Sequence, residues 1–314
     1  MRILFVTSNR LGDAVLSTGL LDHLLRTYPE ARFTIVCGSV AAGVFARMPR
    51  RERTIVLEKR AHGRHWLPLW AMTATTWWDL VVDIRGSALA WLLPTRRRAV
   101  FRRRPGHKTT ELAAILDVDP PPLPVVWTAA EDDARASALL PSVPFIALAP
   151  TANWAPKVWP ADRFAALFRA LQRQLPAAHP VIFGGAGATE RAMAAPLLQA
   201  LPEATDLVGC LSLPEVAACL RRATLFVGND SGLMHMAAAA GAPTLGLFGP
   251  TNAVEYGPAG RNALAVIGSS MADITVDQVL EAARAVRAGF PLSQRAGASG
   301  PPAAARELPS RYGA

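Results

Sequence analysis

The chain has 314 residues, a net charge of +9 and a sequence pI near 10.4, enough length for one large domain or two medium ones with substantial cores. The charge is unevenly placed: residues 1–110 carry 19 Lys and Arg against 7 Asp and Glu, a net +12, while residues 111–314 carry a net −3, so a basic partner surface belongs to the N-terminal half. Three cysteines, Cys37, Cys210 and Cys219, exclude a disulfide framework and a close-spaced zinc site and read as core packing, and no uninterrupted apolar run approaches the roughly 20 residues of a membrane span.

The first element is a buried strand, Ile3 to Thr7. These five apolar or neutral residues precede Asn9-Arg10 and are too few for the apolar region of a signal peptide, so a cytoplasmic protein is expected. The strand ends in Ser8-Asn9-Arg10-Leu11-Gly12-Asp13, and a helix runs from Asp13 to Thr27 with apolar residues at Val15, Leu16, Leu20, Leu21, Leu24 and Leu25. A glycine turn and a carboxylate thus stand at the carboxyl edge of the first strand. This turn lacks the dinucleotide fingerprint, so no nicotinamide cofactor is expected. Asp13 is either a helix cap or a general base within reach of an acceptor hydroxyl.

Strands Phe33 to Cys37, Thr54 to Leu57, Leu80 to Ile84 and Ala99 to Phe101 follow, with Trp66, Trp70, Trp77 and Trp78 flanking a helix and reading as core or as interfacial contacts. Around the last of these strands lie Arg96-Arg97-Arg98, Arg102-Arg103-Arg104 and Lys108. No RNA- or DNA-binding motif accompanies them, so nucleic acid is not expected; an anionic glycolipid or the anionic face of the inner membrane suits them better. Asp117-Val118-Asp119 precedes three prolines and reads as a polar helix end rather than a metal site.

After the proline-rich break at 120–124 the rhythm resumes with strand Phe145 to Ala149 and the loop PTANWAPKVWP. Lys157 in that proline-bracketed loop is placed to neutralise a diphosphate leaving group. Helix Asp162 to Gln174, strand Val181 to Phe183 and the turn Gly184-Gly185-Ala186-Gly187 lead into helix Thr189 to Ala200, whose Glu190 can accept hydrogen bonds from a ribose or serve the helix dipole. Strand Asp206 to Val208, helix Leu213 to Arg222 and strand Leu225 to Val227 bring the chain to Gly228-Asn229-Asp230-Ser231-Gly232-Leu233-Met234-His235, a tight acidic turn with a helix opening at Ser231. Backbone N–H groups at such a helix start hold diphosphates; Gly232 admits close approach, and His235, one turn on, can face the anion. Asp230 and Ser231 are equally ordinary helix caps, and His235 an ordinary core histidine. Strand Thr244 to Phe248 and helix Val276 to Ala288 complete the pattern, and residues 291–314, rich in Gly, Pro, Ala and Ser, should be disordered.

Alternating strands and helices predict an α/β chain of two Rossmann-like, doubly wound parallel-sheet domains facing a central cleft, residues 1–141 and 142–290. The segments MRILFVTSNRLGDAVLSTGLLDHLLRTYPEARFTIVCG, WDLVVDIRGS, PTANWAPKVWP, NDSGLMHMAAAAGAPTLGLFGPT and MADITVDQV, in this order over about residues 1–290, together resemble glycosyltransferase family 9, the lipopolysaccharide heptosyltransferases. That resemblance implies a GT-B fold with the acceptor on the N-terminal domain and the nucleotide-sugar donor on the C-terminal one. It implies an inverting, metal-independent transfer from ADP-heptose with no cofactor. Asp13 would be the catalytic base and Lys157 its leaving-group partner. Donor contacts would fall on Thr151, Lys157, Glu190, Leu211, Asp230, Ser231, Gly232 and His235. Acceptor contacts are expected at Arg10, Arg85, Arg97, Arg103 and His107. The chain departs from the family pattern at Ala152, where a second hydroxyl is common, and at Gly268-Ser269-Ser270-Met271, where many members have cysteines. Alternative readings are a transferase of the same fold using another nucleotide sugar for capsule or protein glycosylation, and a non-catalytic binder.

Overall fold

The computed structural model describes residues 1–58 and 65–288; the tail expected at 291–314 lies outside the described residues. In chain order the elements are β1 (Arg2–Val6), α1 (Leu11–Thr27), β2 (Arg32–Cys37), α2 (Ser39–Ala42), β3 (Arg51–Val56), α3 (Trp66–Ala74), β4 (Trp78–Asp83), β5 (Thr95–Val100), α4 (Lys108–Ala113) and α5 (Ala130–Leu139). They continue with β6 (Phe145–Ala149), α6 (Ala161–Gln172), β7 (His179–Ile182), α7 (Ala188–Ala200), β8 (Thr205–Asp206), α8 (Leu213–Leu220) and β9 (Leu225–Asn229). The last are α9 (Gly232–Ala240), β10 (Thr244–Phe248), α10 (Ala253–Tyr256), β11 (Ala263–Ile267) and α11 (Val276–Arg287).

Two parallel sheets result, ordered β3-β2-β1-β4-β5 and β11-β10-β9-β6-β7-β8. Their central strands are buried on both faces, which is why β6 (FIALA) and β10 (TLGLF) read as unbroken apolar runs. In each sheet the chain reverses its direction of winding once, between β1 and β4 and between β6 and β9. At such a switch the loops leaving two neighbouring strands part to opposite sides and open a crevice at their carboxyl ends. Each sheet therefore supplies one crevice, lined by the loops after β1 and β4 in the first and after β6 and β9 in the second.

The two lobes meet through α1 and α9. Both helices are buried nearly all round, α1 from Ala14 to Leu21 and α9 from Leu233 to Ala238, and one apolar cluster runs from Phe5, Val15 and Leu20 of the first lobe to Leu220, Phe226 and Met234 of the second. The proline-rich linker crosses α1, where Val125 N–H donates to Thr18 Oγ1 at 2.9 Å. Ahead of residue 141, α5 already packs with the second lobe: Arg222 of the α8 end reaches Ser137 Oγ at 2.8 Å. Across the back of the interface Arg47 grips Asp132 of α5 with two bonds of 3.0 and 3.1 Å.

One expectation about packing needs correction. Cys37 and Cys219 are core residues, but Cys210 is exposed, because it follows the two-residue strand β8 at the margin of its sheet. The tryptophans, read as core or interfacial, divide between the two: Trp78 is buried, whereas Trp70 and Trp77 are exposed. Among the described residues no helix is long and apolar enough to cross a membrane.

Candidate active site between the two lobes

The loop after β1 is held by its own side chains. Ser8 Oγ accepts from Arg10 N–H at 3.1 Å and donates to Asp13 Oδ2 at 3.2 Å, so the carboxylate of α1's first turn is aimed back toward the strand end. Next to it, Arg85 after β4 donates to Asn9 Oδ1 at 3.3 Å and stacks over Trp66, 5.0 Å from the ring centroid. Arg85 owes its place to Asp83, a fully buried carboxylate that accepts N–H bonds from Arg85 at 2.8 Å and Ser87 at 2.9 Å, and a hydroxyl bond from Ser87. Burial pushes Asp83 above the usual carboxylate range, and the bonds from Ser87 and Arg85 pull the other way. Asp13, Arg10 and Arg85 are thus brought to one crevice.

On the facing lobe the site is built from the carboxyl ends of adjacent strands. Asn229, fully buried at the end of β9, pins both ends of the loop after β6: its Oδ1 accepts from Trp159 N–H at 3.0 Å and its Nδ2 donates to Thr151 O at 3.5 Å. Trp159, also fully buried, anchors that loop through Nε1 to Ile274 O at 3.0 Å. Between these anchors a short 3-10 turn, Ala155–Lys157, sets the lysine, whose Nζ meets Asp230 Oδ2 at 2.7 Å. Thr151 is buried beside Gly184 and Val208, and Glu190 folds over the glycine turn to accept from Gly185 N–H at 3.2 Å. Leu211, half-buried against the core, lies past the end of β8.

Ser231 is the residue before α9, and Gly232 opens the helix. Buried polar atoms ordinarily find partners. Here Ser231 Oγ, His235 Nδ1 and Thr251 Oγ1, all near the carboxyl ends of β9 and β10, are buried with no partner. Burial lowers His235 to about 4, opposed by Asp230 and aided by His107 and Lys157, so its imidazole is neutral at neutral pH. The start of α9, the Lys157 ammonium and the unpartnered hydroxyls of Ser231 and Thr251 thus come from adjacent strand ends, a grouping whose chemistry suits an anion.

The lobes bring these halves into register. A Cβ on Gly12 would meet His235 Cδ2 at 2.8 Å, and one on Gly232 would meet Leu11 at 2.6 Å. Both positions are glycine because the two loops touch there. Tyr256 also bridges the lobes electrostatically: burial, a hydrogen bond with Glu255 and the charge of Asp13 raise its phenol to about 12. His107, expected on the acceptor, instead caps α4 and bonds Gly257 O of the other lobe through Nε2 at 3.0 Å, with Nδ1 accepting from Thr109 N–H at 3.2 Å.

Two expected acceptor residues stand apart. Arg97 pairs in register with Leu80, three positions before the end of β5, and is exposed on the free edge of the first sheet, about 10 Å below the carboxyl edge at the usual rise per residue. Arg103 is exposed after β5. The residues that sequence reading did not single out include Ser8, Asn9, Asp83, Trp159, Asn229, Thr251 and Tyr256. Ser8, Asn9 and Asn229 lie inside strand-to-helix turns and so carried a local signal. Among the described residues no group of three or more His, Cys, Asp or Glu side chains is arranged to hold a metal ion.

Known proteins share this architecture. Among curated relatives, lipopolysaccharide heptosyltransferase 1 of Pseudomonas aeruginosa is 29% identical over 83% of this chain and 82% of its own length. Lipooligosaccharide heptosyltransferase 2 of Haemophilus influenzae is 27% identical over 82% and 86%. Among solved structures, a family 9 glycosyltransferase from Veillonella parvula superposes with a TM-score of 0.79 at 22% identity, covering 91% of this chain and 97% of that one. The heptosyltransferase WaaC of E. coli, solved with ADP, gives 0.72 at 20% identity over 91% and 100%; these are GT-B folds. The model of glycosyltransferase family 9 (heptosyltransferase) matches residues 94–281, more than half of the sequence, and with two facing Rossmann-like lobes behind it, this chain belongs to that family of transferases.

Proposed function

We propose that the chain is an inverting glycosyltransferase that moves a heptose from an ADP-activated donor to a lipopolysaccharide core or related surface glycan, without a divalent metal. One observation carries this reading: the loop holding Asp13 touches the helix end holding Ser231, Gly232 and His235, through Gly12 against His235 and Leu11 against Gly232. The names of the curated relatives support the acceptor class, and the ADP in the WaaC structure supports the donor.

The chemistry is one displacement. The acceptor hydroxyl oxygen attacks the anomeric carbon while Asp13 takes the hydroxyl proton, and the bond from that carbon to the diphosphate oxygen breaks with its electron pair leaving on the phosphate. Attack opposite the leaving group inverts the configuration. Negative charge developing on the diphosphate is met by the ammonium of Lys157 and the N–H groups at the start of α9. Asp230 spends one of the three Lys157 donors on holding the ammonium in place, leaving two for the phosphate. Thr151, Glu190 and Leu211 line the path from the diphosphate toward the nucleoside, and Arg10 and Arg85 stand on the acceptor side.

A panel of ADP-, UDP- and GDP-sugars offered to the purified protein tests the donor. Turnover of ADP-heptose alone, with an inverted anomeric signal in the product and full rate in excess EDTA, is expected. A preference for UDP- or GDP-sugars would assign the site to another nucleotide sugar.

A further inference from the structure

His107 is an unusual residue to cap a helix. Its Nδ1 accepts from Thr109 N–H at 3.2 Å at the start of α4, a task for which Asn, Asp, Ser and Thr are the preferred side chains. What a histidine adds is a second nitrogen. With Nδ1 accepting, the ring proton belongs on Nε2, and Nε2–H donates at 3.0 Å to the carbonyl of Gly257, 150 residues away on the facing lobe. The displacement at the anomeric carbon makes no direct use of this bond.

Both flanks of His107 are tied down. Glu111, buried on α4, accepts from Arg104 N–H at 3.0 Å and from Lys108 Nζ at 2.8 Å, and the same ammonium stands 4.2 Å from the Phe101 ring centroid. A buried ion pair is a weak source of net stability; here it fixes the loop between β5 and α4 that presents the imidazole. The receiving element has no such support. α10 has four residues, none of them fully buried, and starts at an Asn252 cap that accepts from Val254 N–H at 3.0 Å. So short a helix does not hold itself in place. Gly257, which closes it, is buried and has no room for a side chain, since a Cβ would meet Ala253 O at 2.7 Å, and its carbonyl is where the first lobe takes hold of α10. The last residue of that helix, Tyr256, feels the charges of Asp13 on α1 and Glu111 on α4. The held helix therefore ends beside the reaction centre.

We propose that His107 is a positioning residue for the transfer: its bond to Gly257 holds α10 against the first lobe and so keeps Tyr256 in place beside Asp13. The inference rests on the transferase reading above, and one arm of its test needs neither donor nor acceptor, so the two can fail separately. Lys157, with its Asp230 partner, and the loop pinned by Asn229 are held without α10. Loss of the bond therefore acts on rate rather than on nucleotide affinity.

His107→Asn separates the two tasks of the ring, because the shorter amide still caps α4 but falls short of Gly257; His107→Gln keeps an N–H at about the reach of Nε2. In the full chain carrying Cys210→Ser, spin labels at Val40→Cys of the first lobe and Val254→Cys of α10, both exposed, report their spacing by pulsed electron paramagnetic resonance. One narrow distance is expected with His107, a broadened distribution with His107→Asn, and a narrowed one again with His107→Gln. On unlabelled protein His107→Asn should lower kcat about fivefold, the loss of one neutral hydrogen bond, with calorimetric ADP affinity within about twofold of wild type, and His107→Gln should recover most of the rate. An unchanged spacing in His107→Asn overturns the proposal; if it comes with a rise in the KM of the acceptor alone, His107 belongs to the acceptor site. A broadened spacing with wild-type kcat overturns it as well, since α10 would then not serve the reaction. Absence of turnover with every nucleotide sugar would sink the transferase reading instead, and the spacing would still decide what His107 holds.

Discussion

Gly12 of the first lobe lies so close to His235 of the second that a Cβ there would stand 2.8 Å from the imidazole Cδ2. The ring is buried and cannot swing into solvent, so Gly12→Ala forces either a ring shift or a separation of the lobes. Overpacking of this kind costs about 1–3 kcal/mol. The expected result is a lower thermal midpoint together with a fall in kcat/KM at temperatures where the variant is fully folded. A variant that loses stability but keeps kcat/KM would show that the lobe contact does not set the reaction geometry.

Asp13→Ala removes the proposed proton acceptor without touching the anion cradle. General-base assistance contributes on the order of 10²- to 10⁴-fold to rate, so turnover should fall by that factor while calorimetry finds ADP or the donor sugar bound nearly as in the wild type. Equal loss of binding and turnover would mean that Asp13 serves the fold of its loop. Ser8→Ala, which deletes the 3.2 Å bond to Asp13, should reduce kcat modestly and leave donor binding alone.

What could be read from the sequence follows burial. β6 and β10, at or near the centre of their sheet, occupy the residues expected of them, because a strand covered on both faces leaves an unbroken apolar run. The first sheet's edges were harder. β3 begins at Arg51 and β5 at Thr95, several residues ahead of the expected Thr54 and Ala99, because an edge strand tolerates arginines that look like loop. α5 (AEDDARASAL) has no apolar stripe; it is fixed by Ala129 N–H to Asp132 at 2.8 Å and by Arg47, and the latter contact joins residues 85 apart. The same division holds at the site. Asp13, Lys157, Ser231 and His235 were visible as polar residues at strand-to-helix turns, whereas the pinning of the Thr151 to Trp159 loop by Asn229 and the pairing of Lys157 with Asp230 are long-range facts that no local pattern records.

That pairing predicts a split between stability and rate. Lys157→Met leaves the Asp230 carboxylate, only 10% exposed, without its cation, and an unpaired, largely buried charge is destabilising. It also removes a positive charge from the leaving group, a kind of loss that costs about 10²- to 10³-fold in kcat. Adding Asp230→Asn should return much of the lost thermal midpoint but none of the lost rate. Recovery of rate in the double variant would show that Asp230, not the diphosphate, is what Lys157 serves.

His235 makes the fold pH-sensitive in a defined window. Its folded-state value, lowered to about 4 from an ordinary 6.5, means that the unfolded chain binds the proton more readily. The stabilisation is therefore complete above about 6.5 and is lost as pH falls toward 4, by about 3 kcal/mol at most. His235→Gln should flatten the thermal midpoint between these limits. Asp132, lowered by Arg47 and by its bond from Ala129 against the cost of burial, loses its contribution only below the ordinary carboxylate range, so the two windows separate. A bound diphosphate beside His235 should favour the imidazolium, raise the folded-state value toward that of the unfolded chain and so shrink the wild-type loss on the acid side. The check is a pair of midpoint-against-pH curves with and without ADP; identical curves would place His235 outside the anion cradle.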